Sequence, residues 1–111
     1  MNRDQSYLVD ILESSKIILS YLGHKTLKDF IEDIQLQDSV IRRLEIIGEA
    51  TARISIETQT FYPSIPWREM KGMRNLLIHE YDEIDPEIVW KTAKEDISSL
   101  VVQLSKIISE K

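Results

Sequence analysis

Apolar side chains recur every three or four residues along most of this 111-residue chain, which is the spacing of amphipathic helices. The pattern predicts a first helix over residues 4–22, and Gly23 follows at the position where glycine often ends a helix. A short second helix is predicted from Thr26, because threonine caps helix N-termini well. Asp38 or Ser39 is the predicted cap of a third helix.

The third predicted helix extends to about residue 54, and residues 58–65 are predicted to form a loop. Pro66 suits the first turn of a fourth helix, because the N–H that proline lacks would be unpaired there. Asp85 and Pro86 repeat this start for a fifth helix, whose apolar positions continue nearly to the last residue. The chain therefore reads as helices joined by short connections.

Strand-like alternation is absent from the sequence, so the predicted fold is all-α: an antiparallel four-helix bundle with a short accessory helix. A chain of 111 residues supports one core but not two, which predicts a single domain over residues 1–111. Gly48 and Gly72 lie inside predicted helices, where glycine costs ~1 kcal/mol relative to alanine. They indicate close helix–helix approach, access to the backbone near a site, or simple tolerance.

Composition excludes several classes of protein. Hydrophobic residues make up 42% and charged residues 30%, which is ordinary for a globular domain. The sequence has no apolar run near the ~20 residues of a membrane span and no secretory signal at Met1, so a cytoplasmic location without membrane attachment is expected. Cysteine is absent and the two histidines are far apart, so no metal site and no cofactor are predicted.

The net charge of −5 argues against a non-specific nucleic-acid binder, and no DNA partner is expected. The charges are unevenly distributed, however. In the fourth predicted helix Arg68, Lys71 and Arg74 stand against Glu69 alone, and the segment 80–87 that follows is acidic. A weakly basic helix thus leads into an acidic turn, which leaves room for an enzyme that contacts a few phosphates in a local cleft.

Residues 74–81 carry the candidate chemistry. Arg74 can hold a phosphate, His79 can move a proton near neutral pH, and Tyr81 offers a hydroxyl group. On an ideal helix Arg74 and His79 point ~140° apart because five residues separate them. Asn75 and His79, four residues apart, share a face.

Two arrangements can bring Arg74 and His79 to one substrate. The helix can loosen near its end at His79, or a second copy of the chain can lie across the first. RNA cleavage by its own 2′-OH needs both a base and an acid, and a symmetric dimer supplies two histidines. Arg74 would then stabilise the charge on a phosphorane-like transition state, and the scheme requires no metal.

Each of these residues also has a purely structural interpretation. Arg74 can form a surface ion pair with Glu69 or Glu80. His79 can complement the helix dipole, and Tyr81 can be an aromatic residue at the edge of the core. Composition and periodicity leave both interpretations open.

A family resemblance changes that balance. The string Arg74-Asn75-x-x-x-His79-x-Tyr81 resembles the R-x4-H-x-Y signature of HEPN-domain ribonucleases, and of the HepT-like toxins in particular. The resemblance extends over most of residues 38–92. It is carried by three further blocks, 41–50, 62–70 and 88–90.

The resemblance implies a small helical bundle that dimerises and places two R-x4-H motifs in a cleft between the copies. It implies a metal-independent endoribonuclease that arrests growth and is encoded with a minimal nucleotidyltransferase as antitoxin. That partner transfers AMP from ATP to the tyrosine of the motif. By position, Arg74 and His79 would be catalytic, Asn75 would support them, and Tyr81 would be the modified residue.

Three points stay open on the sequence alone. Arg42 and Arg43 can contact RNA or the partner protein, or they can form ion pairs with Glu45 or Glu49. The chain can also be a non-catalytic partner of the nucleotidyltransferase. Finally, the chain can be a purely structural helical-bundle dimer, with neither activity nor a role in presenting a substrate.

Overall fold

The computed structural model describes residues 3–79 and 85–109, and within these ranges the chain is helical, with short connections and no strand. The all-α class predicted from the sequence is therefore confirmed. In chain order the elements are α1 (Arg3–Leu22), α2 (Leu27–Ile31), α3 (Ile34–Ala52), α4 (Ile56–Phe61), α5 (Trp67–His79), α6 (Pro86–Lys91), a π-helical turn (Thr92–Asp96) and α7 (Ile97–Ser109).

The apolar stripes of the long helices meet in one buried cluster. Helix α1 packs against α3 and α7, α5 packs against α3, and the short α2 lies against α3 and α6. Ile11 of α1, Ile47 of α3 and Leu104 of α7 are fully buried, and burying a side chain of this size contributes ~1.5–3 kcal/mol. Across the described ranges no helix is long and apolar enough to cross a bilayer.

Helix ends predicted from capping residues are confirmed at three places. Gly23 has a positive φ of 48°, the left-handed conformation that glycine adopts most easily. Thr26 and Asp29 form a reciprocal capping box, in which the Thr26 N–H donates to Asp29 Oδ2 at 2.9 Å and the Asp29 N–H donates to Thr26 Oγ1 at 3.2 Å. Asp85 caps α6, with Pro86 at its first position.

The predicted start of the third helix is wrong. The cap of α3 is Asp33 rather than Asp38, because the Asp33 carboxylate accepts a hydrogen bond from the N–H of Leu36 at 3.0 Å. Ser39 lies inside the helix, where its hydroxyl donates to the carbonyl of Gln35 at 2.9 Å. Several good capping residues thus occur close together in the sequence, and the earliest one is used.

The predicted loop 58–65 is wrong over its first half, because Ile56–Phe61 forms the short helix α4. No residue of α4 is buried, so the spacing of apolar residues could not predict this helix. Its start is capped locally by Ser55, whose hydroxyl accepts from the Thr58 N–H at 3.2 Å. Asp4 of α1 adds a second support, because it accepts hydrogen bonds from the Ser55 N–H at 3.1 Å and from the Thr58 hydroxyl at 2.6 Å. Asp4 is far from α4 along the chain, so local sequence could not show its contribution.

The fifth predicted helix is present, but a π-helical turn interrupts it between α6 and α7. At this turn the Lys94 ammonium lies 5.2 Å from the ring centroid of Trp90, within cation–π range. The Trp90 ring also packs against Phe30 of α2, with ring centroids 5.5 Å apart. The short accessory helix is therefore attached to α6 through aromatic contact.

Candidate functional site

The start of α5 is held by hydrogen bonds to the connection that precedes it. The indole N–H of Trp67, which is 7% exposed, donates to the carbonyl oxygens of Gln59 at 3.1 Å and Tyr62 at 2.9 Å. From α7, the side-chain amide of Gln103 donates to the Ser64 carbonyl at 3.1 Å. Helix α5 therefore begins at a position defined by α4 and α7.

Arg74 lies where α5 packs against α3, opposite Gly48. A Cβ atom placed on Gly48 would collide with the Cβ of Arg74 and would lie 3.0 Å from its Cα and its amide nitrogen. Of the readings open for Gly48, close helix–helix approach is the one that the structure shows. Gly72 differs, because no described atom outside its own helical backbone and chain neighbours lies within 4 Å of its Cβ position.

The Arg74 guanidinium has unused hydrogen-bonding capacity. The side chain is partly buried, and its Nε is buried without a hydrogen-bond partner in the part of the chain that the structure describes. Within that part, Arg74 forms no ion pair with Glu69. An N–H buried without an acceptor costs ~1–3 kcal/mol, so an acceptor that reached the Arg74 Nε would recover that free energy.

Helix α5 continues as an α-helix through His79, so the loosening considered as one arrangement does not occur before that residue. The register positions of Arg74 and His79 therefore stay ~140° apart. The side chains of Asn75 and His79, and the whole of Tyr81, lie outside the described part of the chain. Among the described residues, no group of three or more His, Asp or Glu side chains is placed to hold a metal ion.

A groove of about 820 Å³ runs beside the first two turns of α5, and we name it the α5 groove. Two cations, Arg68 and Lys71, line it together with Glu69. All three side chains are exposed, and in the described ranges neither cation forms an ion pair. The remaining lining residues are Gln59, Pro63, Ser64, Ile65, Pro66, Trp67 and Gly72.

Arg42 and Arg43 lie on α3, ~1.5 turns before Gly48. Arg42 is exposed, and its Nη1 lies 3.6 Å from the Glu45 carboxylate, so the ion pair that the sequence allowed is present. Both arginines line another groove of about 520 Å³, together with Tyr21 of α1 and with Ile34, Gln35, Asp38 and Ser39 of α3. The alternative role, contact with RNA or a partner, stays a prediction for both.

The sequence matches one protein family over most of its length. That family is described as Ribonuclease HepT-like, and its model matches residues 11–107. The chain therefore belongs to the HepT-like ribonuclease family, which lies in the HEPN-like superfamily. The resemblance noted around residues 74–81 is confirmed at the level of the family.

Individual relatives are similar along nearly the whole chain. A protein of Thermococcus cleftensis named "Probable ribonuclease HepT" is 44% identical over 103 residues, which is 93% of this chain and 94% of that protein. A "Putative RNase" of Methanocaldococcus jannaschii is 40% identical over 86% of this chain and 88% of its own length.

Another M. jannaschii protein, named "Gamma-glutamylcyclotransferase and putative RNase", is 43% identical over 94% of this chain. The match spans 47% of that longer protein, so the likeness concerns one part of it. No solved structure matches this chain.

Proposed function

We propose that this chain is a metal-independent endoribonuclease and the toxin of a type VII toxin–antitoxin system. One observation carries the proposal: the partly buried Arg74 is held against Gly48, on the helix that bears His79, and its Nε has no hydrogen-bond partner among the described residues. Membership of the HepT-like family and the names of its relatives support RNA as the substrate. Cytoplasmic RNA is the substrate in this scheme.

The proposed site forms between two copies of the chain. Each copy is a single domain over residues 1–111, in which α1, α3, α5 and the α6–α7 segment make an antiparallel four-helix bundle and α2 is accessory. Within one copy the register separates Arg74 and His79 by ~140°. A two-fold axis across α5 lets Arg74 of one copy reach the face that carries His79 of the other.

In this scheme His79 of one copy removes the proton from a ribose 2′-OH, and the 2′-oxygen attacks the adjacent phosphorus. The bond from phosphorus to the 5′-oxygen breaks, and His79 of the second copy protonates that oxygen. The products are a 2′,3′-cyclic phosphate and a 5′-hydroxyl. Arg74 stabilises the negative charge of the transition state, and Asn75 supports the site.

The same segment supplies the proposed switch. A minimal nucleotidyltransferase, the cognate antitoxin, transfers AMP from ATP to the hydroxyl of Tyr81, two residues beyond His79. The added phosphate carries negative charge and the nucleoside is bulky, so the modified site repels and excludes RNA phosphate. Intact-mass measurement after co-expression with the nucleotidyltransferase is expected to show added AMP on Tyr81.

Purified, unmodified protein tests the catalytic proposal. It is expected to cleave RNA in the presence of EDTA, and His79→Ala and Arg74→Ala are each expected to abolish cleavage while the protein stays a folded dimer by light scattering. Cleavage by a folded His79→Ala dimer would overturn the proposal. A tight complex with the nucleotidyltransferase but no cleavage by wild type would instead identify a non-catalytic partner.

A further inference from the structure

The α5 groove contains cations that the fold does not use. Arg68 and Lys71 are exposed, and neither has an ion-pair partner in the described ranges. Glu69 is the one carboxylate among the lining residues, so the groove has a small positive excess in a chain whose net charge is −5. Its volume of about 820 Å³ falls within the ~300–1,000 Å³ typical of ligand sites.

The groove lies on the side of α5 that leads to His79. Trp67 and Met70 are buried, and they mark the side of α5 that packs inward. Helical register places residues 68, 72, 75 and 79 within ~60° of each other on a different side. Arg68 and Gly72 are exposed there, so this side of the helix is open to solvent along its first half.

The distances along the helix suit a polynucleotide. Residue 79 lies ~16 Å beyond residue 68 and ~12 Å beyond residue 71 along the helix axis, which is a few nucleotides of single strand. Gly72 lies between them, and no side chain of the described residues comes within 4 Å of its Cβ position. Among the described residues of this side, Arg68 and Gly72 are exposed, so a strand that reaches Gly72 from the direction of residue 79 meets the two cations.

We propose that the α5 groove is a phosphate-binding subsite for single-stranded RNA, in which Arg68 and Lys71 hold the backbone on one side of the bond that is cleaved. The subsite rests on the proposed ribonuclease function and extends it from the reacting phosphate to the flanking nucleotides. Phosphate contacts position a strand without reading its sequence. Glu69 opposes binding and limits its strength.

The test measures binding separately from cleavage. The probe is a fluorescein-labelled 2′-O-methyl oligoribonucleotide, which lacks the nucleophilic hydroxyl and stays intact with wild-type protein. For Arg68→Gln/Lys71→Gln we expect a Kd about tenfold higher at low salt, and a slope of log Kd against log salt reduced by ~0.7 for each phosphate that the protein no longer neutralises. Glu69→Gln is expected to lower the Kd, because it removes the opposing charge.

The matched control is Lys16→Gln/Lys25→Gln, which removes the same charge from two exposed positions outside the groove. The control is expected to keep the wild-type salt slope. If both double variants weaken binding of the probe equally, the effect comes from overall charge, and the subsite is overturned. An unchanged Kd and slope in Arg68→Gln/Lys71→Gln would overturn it as well.

Cleavage of an unmodified oligoribonucleotide separates the subsite from the function on which it rests. In Arg68→Gln/Lys71→Gln we expect KM to rise with little change in kcat, because the interaction is equally strong in the ground and transition states. If wild type binds the probe through these cations but never cleaves RNA, the subsite stands and the ribonuclease proposal fails. If wild type cleaves RNA and Arg68→Gln/Lys71→Gln changes neither KM nor Kd, the ribonuclease proposal stands and the subsite fails.

Discussion

The backbone of Gly48 in α3 lies directly against Arg74 of α5, and the absence of a side chain on Gly48 is what allows this approach. A glycine in mid-helix costs ~1 kcal/mol relative to alanine. Here that cost is offset by close packing of α3 against α5. Because the backbone of Arg74 is held by α3, its guanidinium leaves the helix from a defined point. The contact between Gly48 and Arg74 thus fixes the point on α5 from which the candidate catalytic guanidinium extends.

The two mid-helix glycines are expected to respond in opposite directions to alanine. Gly48→Ala would force apart α3 and α5, and such overpacking costs ~1–3 kcal/mol. In Gly72→Ala the new Cβ meets no side chain of the described residues within 4 Å, so the variant should gain ~0.5–1 kcal/mol of unfolding free energy from helix propensity alone. Urea denaturation of both variants measures the two values.

A second readout reports on the site rather than on the fold. In Gly48→Ala the Nε–Hε NMR signal of Arg74 should shift, and RNA cleavage should fall by more than the loss of stability explains. Gly72→Ala should leave that signal in place. If Gly48→Ala stabilises the protein as Gly72→Ala does, α3 and α5 have room for a Cβ at position 48, and the close approach to Arg74 is contradicted.

The indole N–H of Trp67 is expected to matter more than that of Trp90. Trp67→Phe keeps an aromatic ring but leaves the carbonyl oxygens of Gln59 and Tyr62 without this donor, a loss of ~1–3 kcal/mol. Trp90→Phe keeps an aromatic ring against Phe30 and serves as the matched control. Chemical denaturation should give a larger loss of unfolding free energy for Trp67→Phe, and equal losses would contradict the structural role of the shared hydrogen bond.

Local signals predicted most helix boundaries. The wrong start of α3 reflects a choice among neighbouring capping residues, and the missed helix α4 involves a contact that is non-local in sequence. Pro66, Gly23 and the Asp85–Pro86 pair each act within a few residues, so their effect is visible in sequence. Helix α4 is different, because it depends on Asp4 of α1 and buries no residue. Nothing in the spacing of its own side chains indicates that support.

The candidate site shows the same division. The residue types at positions 74–81 and their family were recognisable from the sequence, since they form a short contiguous motif. The packing of Gly48 on Arg74 was not, because a mid-helix glycine is also compatible with simple tolerance. Packing of α3 on α5 decides between those readings, and it is a property of the folded chain.

The capping box of α2 gives a pH dependence with a definite sign. The backbone hydrogen bond from Thr26, followed by the bond with its hydroxyl, lowers the pKa of Asp29 below its ordinary value of 3.8. A carboxylate with a lowered folded pKa stabilises the fold above the unfolded value and loses that contribution as pH falls through the folded pKa. Wild type should therefore exceed Asp29→Asn in stability at neutral pH.

That advantage should disappear as the pH falls through the lowered pKa of Asp29, because the protonated carboxyl group resembles the asparagine amide. Urea denaturation of both proteins from acidic to neutral pH measures the difference. Glu57→Gln, at an exposed position in the first turn of α4, controls for general carboxylate titration. A difference between wild type and Asp29→Asn that is constant across the range would exclude the charged capping interaction.

Arg74 itself should show a conflict between stability and activity. Arg74→Met keeps an unbranched side chain against Gly48 and removes a buried donor, Nε, that has no partner in the described part of the chain, so unfolding free energy should be unchanged or higher by ~1 kcal/mol. Cleavage should be lost. Arg74→Lys retains charge without the planar fork and should recover only part of the activity. A strongly destabilised Arg74→Met would mean that the guanidinium is structural, and the catalytic role proposed for it would then lose its main support.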